Sequence, residues 1–201
     1  MDPPWTVALS APMVAASGQR ERRHGGHRLL RGGELDGFIA TADGGIDWLP
    51  PIEAEGEDYG YHDFYASVDA VLMGSATYEK ILRHAAWPYA GKPCWVFTRQ
   101  RRYAKGSNAD INFTAAPPEH IASEIEGQGL KRAWIVGGGK LAASFRERGL
   151  ITNYGIGIVP AILGGGIPLL EARGPLEKLA LAGCQAYPDG TVMLWYRKAE
   201  S

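Results

Sequence analysis

The sequence predicts an α/β domain in which helices cover both faces of a mainly parallel sheet. Short apolar runs that fit buried strands alternate with amphipathic runs that fit helices, and glycines or prolines separate them. Strands that alternate with helices in this way form parallel sheets. The last two strand-like runs have no helical segment between them, which favours a mixed sheet with an antiparallel end.

The individual elements follow from the same pattern. Apolar, β-branched or aromatic runs predict strands at 69–73, 94–98, 133–136, 153–159 and 191–196. Amphipathic runs between them predict helices at 58–67, 77–84, 118–126 and 140–148. The sequence shows no internal repeat and no linker that would separate two domains, so one domain is expected.

Composition and charge exclude several function classes. The chain has 201 residues, 45% of them hydrophobic, and its 21 bases and 22 acids give a formal charge of −1. This balance offers no electrostatic surface for nucleic acid or an anionic membrane, so neither is expected as a partner. No apolar run approaches the roughly 18 residues of a membrane-spanning helix. Cys94 and Cys184 cannot form a disulfide framework, and we expect a reducing, cytoplasmic setting.

Residues 1–26 do not fit the pattern of the remaining chain. They combine a mildly apolar stretch with a basic, glycine-containing run, and we expect a poorly structured extension before a single domain at 27–201. The acid in Met1-Asp2-Pro3-Pro4 is unlike the cationic start of a secretory signal. His24 and His27 have no cysteine or carboxylate cluster nearby, so no metal site is predicted.

Two glycine-rich turns follow predicted strands and precede predicted helices. They are Ile135-Val136-Gly137-Gly138-Gly139-Lys140-Leu141 and Met73-Gly74-Ser75-Ala76-Thr77-Tyr78-Glu79. A helix start without nearby side chains presents free N–H groups and the positive end of the helix dipole, which suits a phosphate. A tight turn that needs positive φ, or a Ser75 or Thr77 helix cap, is the structural alternative. One long ligand, a dinucleotide, would account for both turns.

A third glycine cluster, Leu163-Gly164-Gly165-Gly166-Ile167-Pro168, follows the strand predicted at 153–159. No helical run follows it, so it lacks the helix dipole that would favour a phosphate. We expect this cluster to form a structural loop that lines the site and does not bind a phosphate.

An ordered series of short motifs resembles one known family. The motifs are Leu35-Asp36-Gly37-Phe38-Ile39-Ala40, Asp47-Trp48-Leu49, Glu57-Asp58-Tyr59-Gly60-Tyr61, Met73-Gly74 with Thr77-Tyr78-Glu79, Trp87-Pro88-Tyr89, Val96-Phe97-Thr98, Trp134-Ile135-Val136-Gly137-Gly138-Gly139, and Pro160 with Leu163-Gly164-Gly165-Gly166-Ile167-Pro168-Leu169. In this order they resemble the dihydrofolate reductase superfamily, and within it the bacterial branch related to the reductase domain of riboflavin biosynthesis. The resemblance runs from about residue 28 to about residue 198.

The resemblance implies a three-layer α/β fold with a mixed, mostly parallel eight-stranded sheet, and NADPH as the hydride donor. It implies that the nicotinamide lies near Ile39, Ala40 and the Asp43-Gly44 turn. The residues expected at the diphosphate are Gly74, Ser75, Thr77, Gly137, Gly138, Gly139, Lys140 and Leu141. The adenosine end is expected over Thr98-Arg99-Gln100, where a hydroxyl and a cation would suit a 2′-phosphate.

The same resemblance places the acceptor and a proton donor. Asp58 occupies about the position of the acid in folate-reducing members and is the predicted catalytic residue, with Asp36 and Asp63 as alternatives. Asp58 at a helix start is equally explained by the helix dipole. The residues predicted to contact a planar substrate are Asp36, Trp48, Tyr61 and Phe64, although aromatic residues at helical spacing also fit a core.

Two positions and one segment depart from the family pattern. Glu34 stands where serine is common. Ser75 stands where arginine is common, and the loss of that cation points to a relaxed preference for NADPH. The segment 27–33 lacks the apolar residues of a first strand, so we expect that strand to be short or abnormal.

The resulting prediction is an NADPH-dependent oxidoreductase acting on a pteridine-like or ribosylaminopyrimidine substrate. It would resemble 5-amino-6-(5-phosphoribosylamino)uracil reductase or dihydrofolate reductase, and related proteins imply a homodimer formed through late strands. The main alternative is a non-catalytic NADPH-binding protein of the same fold, which Ser75 and Glu34 motivate. A third alternative is a structural dimer module that has lost its cofactor.

Overall fold

The computed structural model describes residues 26–48, 58–84, 87–100, 110–171 and 174–199. Its strands are β1 (Gly26–Glu34), β2 (Phe38–Ala40), β3 (Ala70–Gly74), β4 (Cys94–Phe97), β5 (Ile111–Thr114), β6 (Arg132–Gly137), β7 (Ile151–Val159), β8 (Ile167–Pro168), β9 (Leu179–Ala186) and β10 (Val192–Lys198). Its helices are α1 (Tyr61–Ser67), α2 (Ser75–His84), α3 (Pro118–Gly127) and α4 (Gly139–Glu147). The predicted extension at 1–26 lies outside the described residues, apart from Gly26 at the start of β1.

Eight strands form one mixed sheet in the order β5-β4-β3-β6-β1-β7-β10-β9. The strands from β5 to β7 in this order are parallel to their neighbours, and β10 pairs antiparallel with both β7 and β9. A small antiparallel pair, β2 and β8, lies outside this sheet. The predicted fold class, a mixed and mostly parallel α/β sheet with an antiparallel end, is confirmed.

Helices pack on both faces because successive strand residues point to opposite sides. On one face, Val71 and Met73 join a core that includes Phe64 of α1 and Ile81 of α2. On the other face, Leu72 joins a second core that includes residues of α3 and α4. The sheet is therefore the middle of three layers, with α1 and α2 on one side and α3 and α4 on the other.

The structure corrects the expectation of a short or abnormal first strand. β1 has nine residues and lies in the middle of the sheet, between β6 and β7. A strand paired on both sides is held by its backbone, so it does not need a continuous apolar sequence. At Gly33 a side chain would be crowded, since a Cβ there would lie 2.8 Å from the carbonyl oxygen of Phe38.

The remaining predicted strands and helices are all present within three residues at each end. β2, β5, β8 and β9 were not among the strands predicted from the sequence pattern. β9 is an edge strand whose leucines are exposed, so it has no alternating buried face to reveal it. Among the described residues, no helix has the length and apolar character required to span a bilayer.

Candidate functional site

The site begins where the parallel strands diverge. β1 pairs with β6 as far as Leu29 and Ile135, whereas it pairs with β7 as far as Glu34 and Val159. The last five residues of β1 therefore extend past its pairing with β6. In open α/β sheets, ligands bind in the crevice that such a divergence leaves beyond the carboxyl ends of the strands.

The two predicted glycine turns lie side by side at this edge. A Cβ added at Gly138 would be 3.8 Å from both the nitrogen and the Cα of Gly74. A Cβ at Gly137 would lie 3.1 Å from the hydroxyl of Thr77. No atom lies within 4 Å of a Cβ built at Gly74. The β3–α2 and β6–α4 turns are thus in contact along bare backbone, and any side chain there would narrow the space between them.

Both turns lead directly into helices, and no acidic side chain in the first turn offsets the positive end of either helix dipole. α2 begins at Ser75 and α4 at Gly139, and neither helix has an acidic residue in its first turn. The N-cap of α4 is Gly138, with φ of 89° and no capping side chain. Unpaired N–H groups and the positive end of the dipole therefore meet at one place, which favours an anionic ligand.

The turn after β2 reaches the same region. The Gly44 amide donates to the Thr41 carbonyl at 2.9 Å, and the Thr41 amide donates to the Gly45 carbonyl at 3.0 Å. The Thr41 hydroxyl donates to the Asp43 carboxylate, and this bond is the main cause that lowers the pKa of Asp43. Lys80 of α2 lies 3.4 Å from the Gly44 carbonyl oxygen. The contact links the predicted nicotinamide loop, which follows Ile39 and Ala40, to α2.

The third glycine cluster packs against β2, as expected for a loop wall. A Cβ at Gly166 would overlap the Ala40 carbonyl oxygen, so only glycine allows this close approach. The cluster is held by Asp36, whose carboxylate accepts hydrogen bonds from the amides of Leu163 at 3.1 Å and Gly164 at 2.7 Å. Both oxygens of Asp36 therefore bind this loop, and its contact with a substrate stays a prediction.

The predicted adenosine end is an exposed turn after β4. The Thr98 amide donates to the Thr114 carbonyl at 2.8 Å, and the Gln100 amide donates to the Thr98 hydroxyl at 3.1 Å. Arg99 is exposed between them. The turn is therefore ordered by β5 while its guanidinium faces solvent at the same edge of the sheet as the glycine turns.

Asp58 lies at the start of α1 and binds the helix. Its carboxylate accepts hydrogen bonds from the amides of Gly60 at 2.6 Å and His62 at 3.1 Å, and it pairs with the His62 ring at 2.6 Å. The Asp58 side chain is 39% exposed. Asp58 therefore binds amides at the start of α1, in keeping with the stated alternative of an acid placed at the positive end of the helix dipole. Asp63, on the same helix, is exposed.

The predicted aromatic contacts divide between surface and core. Phe64 is 5% exposed and packs edge-on against Trp134 at 5.3 Å and stacked with Trp195 at 6.0 Å. The prediction that Phe64 stacks on a substrate is corrected, since core rings cover it. Tyr61 is half-buried, and its burial raises the pKa of its hydroxyl. Trp48 is also half-buried, and its indole nitrogen has no partner among the described residues.

Sequence reasoning did not assign a function to Glu34, although it noted the departure from serine. Glu34 is the last residue of β1 and is 2% exposed. Neither carboxylate oxygen has a hydrogen-bond partner among the described residues. The only signal in the sequence was an acid at the end of a strand, which by itself gives no indication of burial.

Comparison with known proteins agrees with the fold and the motif order. The family model described as the RibD C-terminal domain matches residues 82–193. The uncharacterized protein YwjB of Bacillus subtilis (strain 168) is 35% identical over 166 residues, covering 82% of this chain and 93% of that protein. YyaP of the same organism is 24% identical over 173 residues, covering 81% of this chain and 89% of that protein.

Solved structures share the architecture. A protein of Shewanella sp. PV-4 assigned to riboflavin biosynthesis superposes with a TM-score of 0.79 at 23% identity, over 87% of this chain and 99% of that one. The diaminohydroxyphosphoribosylaminopyrimidine deaminase/5-amino-6-(5-phosphoribosylamino)uracil reductase of Thermotoga maritima gives 0.66 at 15% identity, over 88% of this chain and 57% of that one. The chain belongs to the RibD C-terminal domain family and has the dihydrofolate reductase fold.

Proposed function

We propose that this protein is an NADPH-dependent reductase that transfers a hydride to a pteridine-like or ribosylaminopyrimidine substrate. The family supports the coarser assignment, an oxidoreductase of the riboflavin-pathway type. The observation that carries the finer one is the contact between two bare glycine turns, each opening a helix, at the crevice beside β1.

The residues at this edge fit a dinucleotide. Amides at the start of α2 and α4 would hold the diphosphate, with Gly74 and Gly138 leaving space for it and Ser75, Thr77, Lys140 and Leu141 around it. Thr98 and Arg99 would hold the 2′-phosphate. When bound, NADPH supplies the hydride, and the Ile39–Gly44 segment would position the nicotinamide. The protein contributes position and exclusion of water.

The acceptor would bind between the β2 loop and α1. Trp48 and Tyr61 are half-buried and would offer aromatic surface for a planar ring. A stacking surface selects for flatness and does not distinguish one heterocycle from another. The proposed substrate class is therefore a planar heterocycle or its ribosyl derivative.

A non-catalytic NADPH-binding protein is the second candidate. Two observations favour it: Ser75 removes a cation that the family commonly has beside the cofactor, and Asp58 uses its oxygens to cap α1. This candidate shares the cofactor site and differs only in turnover.

Two measurements test the proposal in sequence. First, thermal unfolding with increasing NADPH should show a concentration-dependent rise in Tm, since a ligand that binds only the folded state stabilises it. Second, NADPH oxidation should be followed with pterins, dihydrofolate and the phosphoribosylamino-uracil substrate. Turnover with any of them supports the reductase. Binding without turnover supports the non-catalytic candidate, and the absence of binding contradicts both.

A further inference from the structure

Glu34 is a buried acid whose carboxylate has no hydrogen-bond partner among the residues that the structure describes. It is 2% exposed, and no described residue donates a hydrogen bond to either of its carboxylate oxygens. Buried carboxylates in folded proteins are almost always paired or hydrogen-bonded, because removing a bare charge from water is costly. An unpaired buried carboxyl therefore favours a neutral, protonated group that has a task other than holding the fold.

The strand register shows which face of the sheet Glu34 occupies. Arg28 of β1 donates to the Ser67 hydroxyl of α1, so residue 28 faces the α1 layer. Residues along a strand alternate, so Glu34, six residues later, faces the same layer. Glu34 pairs with Val159 of β7. Val192 of β10 pairs antiparallel with Ile158, so the preceding residue, Thr191, lies beside Val159.

Hydrogen bonds connect this row to the start of α1. The Thr191 hydroxyl donates to Asp189 at 2.7 Å, and the Tyr59 hydroxyl donates to the same carboxylate at 2.6 Å. Tyr59 directly follows Asp58. Glu34 and the predicted acid Asp58 thus belong to the same end of the same layer, beside the crevice that opens where β1 leaves β6. The other titratable groups that the neighbouring elements bring to this end are Asp36, Asp58, Tyr59, Tyr187 and Asp189.

The surroundings of Glu34 favour its protonated form. Burial raises the pKa of its carboxyl above the ordinary value, and the negative charge of Asp36 acts in the same direction. The amides of Glu34 and Phe38 act in the opposite direction, although neither makes a hydrogen bond with the carboxyl. The Asp58 carboxylate accepts two backbone hydrogen bonds, and its side chain is 39% exposed.

We propose that Glu34, rather than Asp58, is the catalytic acid that delivers the proton to the heterocyclic acceptor. The inference rests on the proposed reductase function. The acceptor carries a C=N bond, whose carbon takes the hydride from the reduced nicotinamide while its nitrogen takes the proton of the Glu34 carboxyl. The acceptor is reduced to an amine, the nicotinamide is oxidised, and Glu34 is left as a carboxylate that regains a proton from water. A carboxyl kept neutral by burial is suited to this task.

The protonation of Glu34 is tested first on the free protein. A raised pKa means that the folded state binds the proton more tightly than the unfolded state, so stability falls as pH rises from the unfolded value through the folded one. Glu34→Gln has no carboxyl to ionise and should therefore not lose stability in this way as pH rises. We expect the variant to have a higher Tm than the wild type at pH 8 and the difference to shrink toward pH 4.5. Equal pH dependence in the two proteins would overturn a protonated Glu34.

The role in proton delivery is tested by single-turnover hydride transfer from pH 5 to 9. We expect the wild-type rate to fall with one ionisation as pH rises. Glu34→Gln should lower the rate by about 100-fold or more and abolish that ionisation, with the Kd for NADPH unchanged. Asp58→Asn should keep the wild-type pH profile. Glu126→Gln, at an exposed position on α3, controls for loss of charge.

The outcomes separate this inference from the proposed function. If the wild type oxidises NADPH but Glu34→Gln keeps its rate and pH profile, or Asp58→Asn loses the profile, Glu34 is not the acid and the reductase assignment stands. If the wild type binds NADPH and reduces no acceptor, both fail. Glu34→Ser serves as a second variant if Glu34→Gln does not fold.

Discussion

Arg99 is an exposed residue at the turn after β4, next to the Thr98 hydroxyl. If this pair holds the 2′-phosphate of NADPH, Arg99→Ala should weaken NADPH binding by about tenfold, because a hydrogen bond to a charged group contributes about 1.5–3 kcal/mol. NADH lacks this phosphate, and its Kd should not change. Titration of both cofactors by fluorescence provides the measurement. An equal loss for both would place the 2′-phosphate elsewhere.

His27 lies near the start of β1, at the end opposite Glu34, and its burial should make the stability of the protein depend on pH. It is 9% exposed, its ring lies 5.2 Å from that of Phe145, and burial lowers its pKa. The unfolded chain therefore takes up a proton at a higher pH than the folded protein does. Stability should fall as pH drops below about 6.5, by at most about 1.4 kcal/mol per pH unit.

His27→Gln should flatten the dependence of Tm on pH between pH 7 and 5. The matched control is His120→Gln, at an exposed position on α3, which should keep the wild-type slope. Circular dichroism melts at several pH values are sufficient. A wild-type slope in the His27 variant would show that another group binds the proton on unfolding.

Among the elements, the contact between the β3–α2 and β6–α4 turns can be tested with two glycines that both have positive φ. Gly138 has φ of 89° and lies between the turns, whereas Gly129 has φ of 78° after α3, with no atom within 4 Å of an added Cβ. Alanine at either position should cost about 1–2 kcal/mol of stability, since both are left-handed.

Only Gly138→Ala should also weaken NADPH binding, by about tenfold, because its methyl group would fill the space beside Gly74 and keep a phosphate from the amides. The two variants are compared by chemical denaturation and by NADPH titration. If Gly129→Ala loses the same affinity, the effect is one of general stability, and the turns have no special part in binding.

For the molecule as a whole, one edge of the sheet, at β9, carries exposed leucines. β9 ends the strand order, and Leu176, Leu179 and Leu181 are 89%, 38% and 59% exposed. An uncovered edge strand with exposed leucines is a site where a second chain can pair. We therefore expect a homodimer formed through β9, in keeping with the late-strand pairing that the family resemblance implies.

Leu181→Glu should convert this dimer into a folded monomer, as measured by sedimentation velocity. Leu82→Glu, at a position on α2 that is 50% exposed, is the control and should remain dimeric. A wild-type protein that sediments as a monomer at all concentrations would contradict the interface.

Much of the architecture could be predicted because local patterns carry it. The runs that became β3 and β4 are apolar, and β6 is apolar after Arg132, which is typical of strands covered on both faces. The site was only partly predictable. Gly74 and Gly138 were found because a glycine turn between strand and helix has a local signature, whereas Asp36, Asp58 and Phe64 are exposed or buried according to what packs on them.

Local patterns in the sequence are sufficient to predict the alternation of strands and helices, the glycine turns and the family. Only the folded chain shows that β1 lies at the centre of the sheet, that the two turns touch, and that the buried Glu34 carboxylate has no hydrogen-bond partner among the described residues. The two groups of features differ in how far apart along the chain the residues that determine them lie. Periodicity and turn geometry depend on neighbours in the chain, whereas strand order, burial and the protonation of a carboxyl depend on residues distant in sequence that only the folded chain brings together.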